Sequence, residues 1–268
     1  MPLIVCATPI GNLEDVTLRV LRELGDVDLV LCEDTRRTRI LLERHGLRAG
    51  LVSYHEHNEA KRTAEILPRL AAGERIALVS DAGLPGISDP GARLIAAALE
   101  AGVPVTVLPG PSAVETALVA SGFAAERFLF LGYLPRGAKA LEELWRELAS
   151  WPHAAIAFES PRRLPATLRS LAEAMPDRLV AVCRELTKAF ESVVRGRARE
   201  VAARFAEPPK GEITLVVGPG EARAGSEEED ALTAVAELVA TGAARREAAA
   251  VVARLTGVPR NRLYRRSL

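Results

Sequence analysis

Ile76-Ala77-Leu78-Val79-Ser80-Asp81-Ala82-Gly83-Leu84-Pro85-Gly86-Ile87-Ser88-Asp89-Pro90-Gly91-Ala92-Arg93-Leu94-Ile95-Ala96-Ala97-Ala98-Leu99 decides the fold of this chain. Its first four residues are a short apolar run and read as a buried strand; its last eight read as a helix. Between them lie twelve residues, Ser80 to Gly91, three of them Gly and two Pro. Ordinary strand-to-helix connections take about 2–6 residues. The extra length predicts a binding loop at the carboxyl end of a strand, the edge where open α/β sheets take their ligands. Gly lets a ligand approach the backbone closely, and Pro stiffens the loop.

The same strand–loop–helix rhythm runs outward in both directions. Leu3 to Ala7, Asp28 to Cys32, Leu51 to Tyr54 and Val103 to Leu108 read as further strands. Helical spacing marks Thr17 to Leu24, with Leu18, Val20, Leu21 and Leu24 as its apolar face. It also marks Arg37 to Arg44, Glu59 to Leu70 and Pro111 to Ala120. Alternating strands and helices predict a parallel α/β domain over residues 1–120. Phe128 to Tyr133, Ala154 to Phe158, Leu179 to Cys183, Phe190 to Arg195 and Ile213 to Val217 predict a second α/β unit over 121–220, more mixed in strand direction. An acidic linker is expected from Glu221 to Asp230, and a small helical tail after it, so that 221–268 forms a third region. Ala248 to Leu255, Thr256-Gly257-Val258-Pro259 and Arg260 to Arg266 have a helix–turn–helix rhythm. This end carries seven arginines against one acid, Glu247, which suits either a solvated tail or a nucleic-acid contact.

The 268 residues are 49% hydrophobic and 26% charged, with zero formal net charge. Charge balance therefore demands no nucleic-acid partner, though local patches decide that question. Cys6, Cys32 and Cys183 are isolated in apolar runs. No CxxC or Cys/His cluster is present, so no metal centre or disulfide framework is expected. No run of 18 apolar residues exists and no signal-peptide pattern is seen, so no membrane partner and a cytoplasmic location are expected. No G-x-G-x-x-G follows the first strand, and neither a P-loop nor a G-x-S-x-G elbow occurs.

Five polar loops instead follow five predicted strands: Thr8 to Asn12, Glu33 to Arg37, Ser53 to Asn58, Ser80 to Gly91, and Pro109 to Ala113. A parallel sheet would gather all five on one edge. Together with Glu159-Ser160-Pro161-Arg162-Arg163-Leu164, Arg184 to Lys188 and Lys210 to Ile213, these loops resemble, in order and over nearly the whole chain, the tetrapyrrole methylase superfamily of S-adenosylmethionine-dependent methyltransferases. The versions here are closer to the branch acting on 16S rRNA than to the porphyrinoid branch, with Leu84 where Thr is common.

That resemblance implies two α/β domains with a cofactor cleft between them, usually in a homodimer. It implies 2′-O-methylation of a decoding-centre cytidine in the 16S rRNA of the 30S subunit. The cofactor contacts it implies are Ile10, Asp81, Leu84, Ile87, Ser88, Ser112 and Ala113 from the first domain, with Phe158, Glu185, Leu186 and Ile213 from the second. A ribose hydroxyl needs its proton removed as it attacks, and Asp34, His55 and Glu56 are the candidate bases. Arg36, Arg37, Arg162, Arg163 and Lys188 are candidate RNA-phosphate contacts. Two other functions remain open at this level: a porphyrinoid methyltransferase, and a non-catalytic RNA-binding assembly factor.

Overall fold

Apolar runs without a polar interruption become the central strands of a parallel sheet covered on both faces. β1 (Leu3–Cys6), β2 (Leu29–Cys32), β3 (Leu51–Ser53), β4 (Ile76–Val79) and β5 (Val105–Leu108) pair in the order β3-β2-β4-β1-β5, every pair parallel. β1, β2 and β4 are buried at every position. The structure is a computed structural model that describes residues 2–124, 126–220 and 227–267.

Strand side chains alternate between faces. On one face Leu3, Val5, Leu29 and Leu31 pack against Ile66 and Leu70 of α3 (Glu59–Ala71) and Leu94 and Ala98 of α4 (Ala92–Glu100). On the other, Ile4, Cys6, Val30 and Cys32 pack against Val20 and Leu24 of α1 (Leu18–Asp26) and Leu41 and Leu42 of α2 (Thr35–Arg44). Leu18, expected on the apolar face of α1, is 86% exposed. It stands two residues before buried Val20, about 200° around the helix.

The second sheet is mixed, as its sequence predicts. β6 (Phe128–Tyr133), β7 (Ala154–Glu159), β8 (Leu179–Arg184), β9 (Ser192–Arg197) and β10 (Ile213–Val217) run in the order β6-β7-β10-β8-β9. Only β6 and β7 are parallel; β7–β10, β10–β8 and β8–β9 are antiparallel. α6 (Ala138–Ala149), α7 (Leu164–Ala174) and α8 (Ala198–Arg204) cover one face around Trp145, Leu168 and Val201. The other face is covered by α5 (Ala113–Ser121), the helix that closes the first half of the chain. Its Ala117 and Leu118 pack with Ile156, Ala181 and Val216. The same core takes in Ile10 of the loop after β1, and both sheets belong to one compact unit.

Three C-terminal helices make a second unit. α9 (Glu227–Ala240), α10 (Arg245–Thr256) and α11 (Arg260–Arg266) share a core of Ala231, Val235, Ala248, Ala249, Val252, Val258 and Leu263. The expected acidic linker, Glu221 to Asp230, overlaps a helix at its end. Residues 221–226 lie outside the described residues, and Glu227 to Asp230 form the first turn of α9. Acidic side chains are favoured there by the helix dipole. Among the described residues no helix is long and apolar enough to cross a membrane.

Candidate active site

All five loops leave the carboxyl edge of the first sheet, because its strands are all parallel. The loops after β1 and β4 are tied together by a backbone bridge, with the Thr8 N–H on the Gly83 carbonyl at 2.8 Å and the return bond at 3.0 Å. The Thr8 hydroxyl adds a bond to the Ser80 carbonyl at 3.0 Å. Asp81 then links the β4 loop to the β2 loop. Its Oδ1 accepts the Asp34 N–H at 3.0 Å, and its Oδ2 lies 3.3 Å from Nη1 of Arg37.

Facing these loops across a cavity of about 500 Å³ are the ends of four strands of the second sheet. They contribute Tyr133, the Phe158-to-Pro161 turn, Cys183 with Leu186, and Gly211 to Thr214. A volume of this order suits a ligand of nucleoside size. Phe158 is held edge-on between Phe130 and Tyr133, with ring centroids 5.2 and 5.6 Å away. The far wall is set by a close approach. Gly211 has φ +100°, and a Cβ there would collide with the Glu185 side chain beneath it. Glu185 itself has φ +53°, and Thr187 +68°. Such left-handed non-Gly residues cost energy and gather at functional sites. The Glu185 carboxylate compensates by bonding Lys188 Nζ at 2.8 Å and the Glu212 N–H at 2.9 Å. The Lys188 ammonium beside it, then the Glu212 N–H, hold its carboxyl below the usual carboxylate range.

The cavity is acidic on the side of the first sheet. Glu33, Asp81 and Asp89 all line it. Burial pushes the Asp89 carboxyl up to about 6, and the negative charge of Glu33 adds to the shift. Burial and then Asp81 raise Glu33 in the same way. Glu33 and Asp89, each partly buried and close to other carboxylates, resist ionisation. A cationic ligand relieves that resistance.

Of the eleven residues expected to touch a cofactor, Ile10, Asp81, Leu84, Ile87, Ser112, Ala113, Phe158, Leu186 and Ile213 line this cavity. Ser88, at φ +60°, stands in the β4 loop outside the lining, and Glu185 lies beneath Gly211. The structure does not bring Asp34, His55 or Glu56 into the lining. Asp34 caps α2, accepting the Arg36 N–H at 2.9 Å and the Arg36 guanidinium at 2.8 Å. The Arg36 guanidinium holds its carboxyl down to about 2, which makes it a weak base. His55 is fixed by Asn58, whose Nδ2 lies 3.1 Å from His55 Nε2 and whose Oδ1 takes the His55 N–H at 2.9 Å. Asn58 Nδ2 also donates to the Ser53 carbonyl at 3.2 Å, so His55 Nε2 is engaged within its own loop. Glu56 is exposed and pairs with His57 at 3.4 Å.

The cationic candidates divide similarly. Arg37 lines the cavity through its pair with Asp81, and Arg36 serves Asp34. Arg163 is turned inward to the Leu134 and Pro135 carbonyls, at 3.0 and 2.6 Å, and to the fully buried Glu159 carboxylate at 3.1 Å. Lys188 is bound to Glu185 and Glu212. Arg162 is exposed.

The expected contact set leaves out Glu33, Asp89, Tyr133 and Glu212, which also line the cavity, although both aspartates of the Ser80-to-Gly91 loop offer acceptors to a cationic ligand. The signal for Glu33 was present. Asp34 immediately before a helix reads as an N-cap, which leaves Glu33 as the first residue beyond β2 free to face the edge. Among the described residues no group of three or more His, Cys, Asp or Glu is arranged to hold a metal ion. Cys6, Cys32 and Cys183 are free, buried thiols.

Residues 2–202 match the family of Tetrapyrrole (Corrin/Porphyrin) Methylases, and residues 225–268 match the RsmI C-terminal HTH domain. The chain is similar to Ribosomal RNA small subunit methyltransferase I of Thermotoga maritima, 46% identical over 82% of this chain and 99% of that one. Its counterpart in Mesorhizobium japonicum is 45% identical over 99% of this chain and 91% of that one. Among solved structures, the methyltransferase CobJ superposes with a TM-score of 0.63 at 22% identity, covering 81% of this chain and 94% of that chain. Diphthine synthase superposes with a TM-score of 0.60 at 14% identity, over 81% and 90%. These two likenesses concern the fold alone.

Proposed function

Since the chain belongs to the tetrapyrrole methylase family, and within it to that of ribosomal RNA small subunit methyltransferase I, we propose that it transfers a methyl group from S-adenosylmethionine to the ribose 2′-oxygen of a decoding-centre cytidine in 16S rRNA. One observation carries the choice of methyl donor: a nucleoside-sized cavity with an apolar wall of Phe158, Leu186 and Ile213 facing the carboxylates Glu33, Asp81 and Asp89. When bound, S-adenosylmethionine supplies the methyl group on a cationic sulfur. Glu33, Asp81 and Asp89 would hold that positive charge, and the apolar wall would take the flat adenine face. Gly83 and Ala82 keep the β4 loop thin enough for close approach.

The chain's part in the reaction is to hold the hydroxyl in line and to take its proton as the new O–C bond forms. Burial raises Asp89 and Glu33 in the cavity lining, and either accepts that proton more readily than Asp34, which Arg36 holds at about 2. His55 and Glu56 lie on the neighbouring β3 loop and would meet the RNA rather than the reacting atoms.

The substrate is the assembled 30S subunit. A ribose hydroxyl carries almost no sequence information, so the surrounding shape must select it. Aromatic residues are only 4% of the chain, too few for an extensive base-stacking platform. A homodimer acting in the cytoplasm completes the proposal. The test offers 30S particles, naked 16S rRNA and a decoding-region hairpin to the purified protein with labelled S-adenosylmethionine. Transfer confined to the 30S particle supports the proposal. Transfer to a porphyrinoid acceptor instead would replace it.

A further inference from the structure

The C-terminal unit is sharply polarised. Acids gather in the first turn of α9, whereas 245–266 holds seven arginines and one acid, Glu247. Some of that charge is spent internally. Arg262 and Arg266 both reach Glu228 of α9, at 3.3 and 2.9 Å. Helical spacing then separates the rest of α11 from this latch. Arg262 and Arg266 are four apart and share one side, Leu263 enters the core, and the pairs Arg260–Tyr264 and Asn261–Arg265 share the remaining sides. All four of these are exposed, Tyr264 at 39%. On α10, Arg254 stands opposite the buried Ala248–Val252 face and is exposed as well. Arg254, Arg260 and Arg265 make no ion pair among the described residues.

Three arginines without acid partners, a polar amide and an aromatic ring on the outside of a folded unit form a surface for phosphates and an unstacked base. Solvated surface charge alone would not need Glu228 to draw Arg262 and Arg266 to one side while Arg260 and Arg265 stay clear. We infer that the outer face of α10 and α11, carrying Arg254, Arg260, Asn261, Tyr264 and Arg265, is an RNA-docking surface for ribosomal RNA, additional to the methyl-transfer cleft. The inference rests on the rRNA substrate proposed above. RNA is favoured over duplex DNA because Tyr264 offers a stacking face, which a closed duplex does not use.

The test uses the full chain. Arg260→Glu/Arg265→Glu leaves buried Leu263 and the Glu228 latch in place. Binding to 30S particles is measured over a salt series. The slope of log affinity against log salt should become shallower by roughly 0.7–0.9 for each phosphate that the variant no longer neutralises. Tyr264→Ala should weaken binding by roughly 5- to 100-fold with the slope unchanged, because stacking is not a counterion effect. S-adenosylmethionine affinity should not move in any variant. If the helical circular dichroism of the Glu double variant falls, Arg260→Gln/Arg265→Gln decides, and it should shift the slope in the same direction. Unchanged slopes in a folded double variant overturn the inference, as does equal competition by duplex DNA of matched phosphate content. Because binding is read without methyl transfer, a wild-type protein that binds 30S through this face but transfers nothing would sink the proposed reaction and leave the docking surface standing.

Discussion

Asp81 Oδ2 lies 3.3 Å from Nη1 of Arg37, so a cation already sits on the acidic wall of the cleft. Substituting Asp81→Asn keeps the size and the bond to the Asp34 N–H, but leaves Arg37 uncompensated beside the ligand. Affinity for S-adenosylmethionine should fall by roughly 10- to 100-fold, the equivalent of one charge-assisted hydrogen bond of about 1.5–3 kcal/mol. Arg37→Gln should leave that affinity unchanged or tighter. Isothermal titration of both variants separates the two cases. Equal losses would mean that the pair only braces the loops.

The Asp89 carboxyl, raised to about 6 by burial and by Glu33, predicts a pH dependence of cofactor binding. Below this value the carboxyl is neutral and contributes little to holding a cation. Affinity should rise as pH goes from about 5 to about 7.5, and Asp89→Asn should flatten the rise. A variant that keeps the full wild-type dependence would assign it to another group, Glu33 being the nearest alternative.

The same shift has a stability consequence of definite sign. The folded state holds the Asp89 proton more tightly than the unfolded chain, whose carboxyl titrates at 3.8. Its contribution is therefore present below about 4 and is lost as pH rises through about 6. Asp89→Asn should melt higher than wild type at about pH 7.5, by about 1 kcal/mol after allowance for solvent screening of a partly exposed group. At about pH 3.5 the difference should vanish. A variant less stable at both pH values would show that Asp89 is held by favourable contacts and is not strained by burial.

The edge of the first sheet was legible because its signal is cumulative. Five strands alternate with helices, so their polar loops must collect on one side, and the length of Ser80 to Gly91 singles out one of them. Side-chain direction within a loop was not legible. Glu33 and Asp34 are adjacent acids, and only the capping geometry sends one into the cleft and the other onto α2. Arg163 and Lys188 look like surface cations in sequence. Their internal partners, the Leu134 and Pro135 carbonyls and the Glu185 and Glu212 carboxylates, are distant in the chain or fixed by left-handed backbone. The strand order of the second sheet was equally hidden. Antiparallel β10 enters between β7 and β8 by long-range pairing, which periodicity does not encode.

Gly211 tests the far wall. With φ +100° and the Glu185 side chain against its Cα, Gly211→Ala adds backbone strain and a clash at once. Thermal unfolding should show a loss of about 1–3 kcal/mol, with weaker binding of S-adenosylmethionine. Gly137, the N-cap of α6 with open space around it, provides the control: Gly137→Ala should cost only a capping loss of about 1 kcal/mol or less and leave binding unchanged.

The proposed methylation of a small-subunit ribose rests on a cleft whose acidic wall faces an apolar one. The most direct measurement incubates the purified chain with methyl-labelled S-adenosylmethionine and 30S particles lacking the modification, then maps 2′-O-methyl groups along 16S rRNA by mass spectrometry of nuclease fragments. The expected result is one new 2′-O-methyl group, on a decoding-centre cytidine, absent with Asp81→Asn at limiting cofactor. A label found on a base, on many riboses, or on no RNA while the protein binds the cofactor tightly would contradict it.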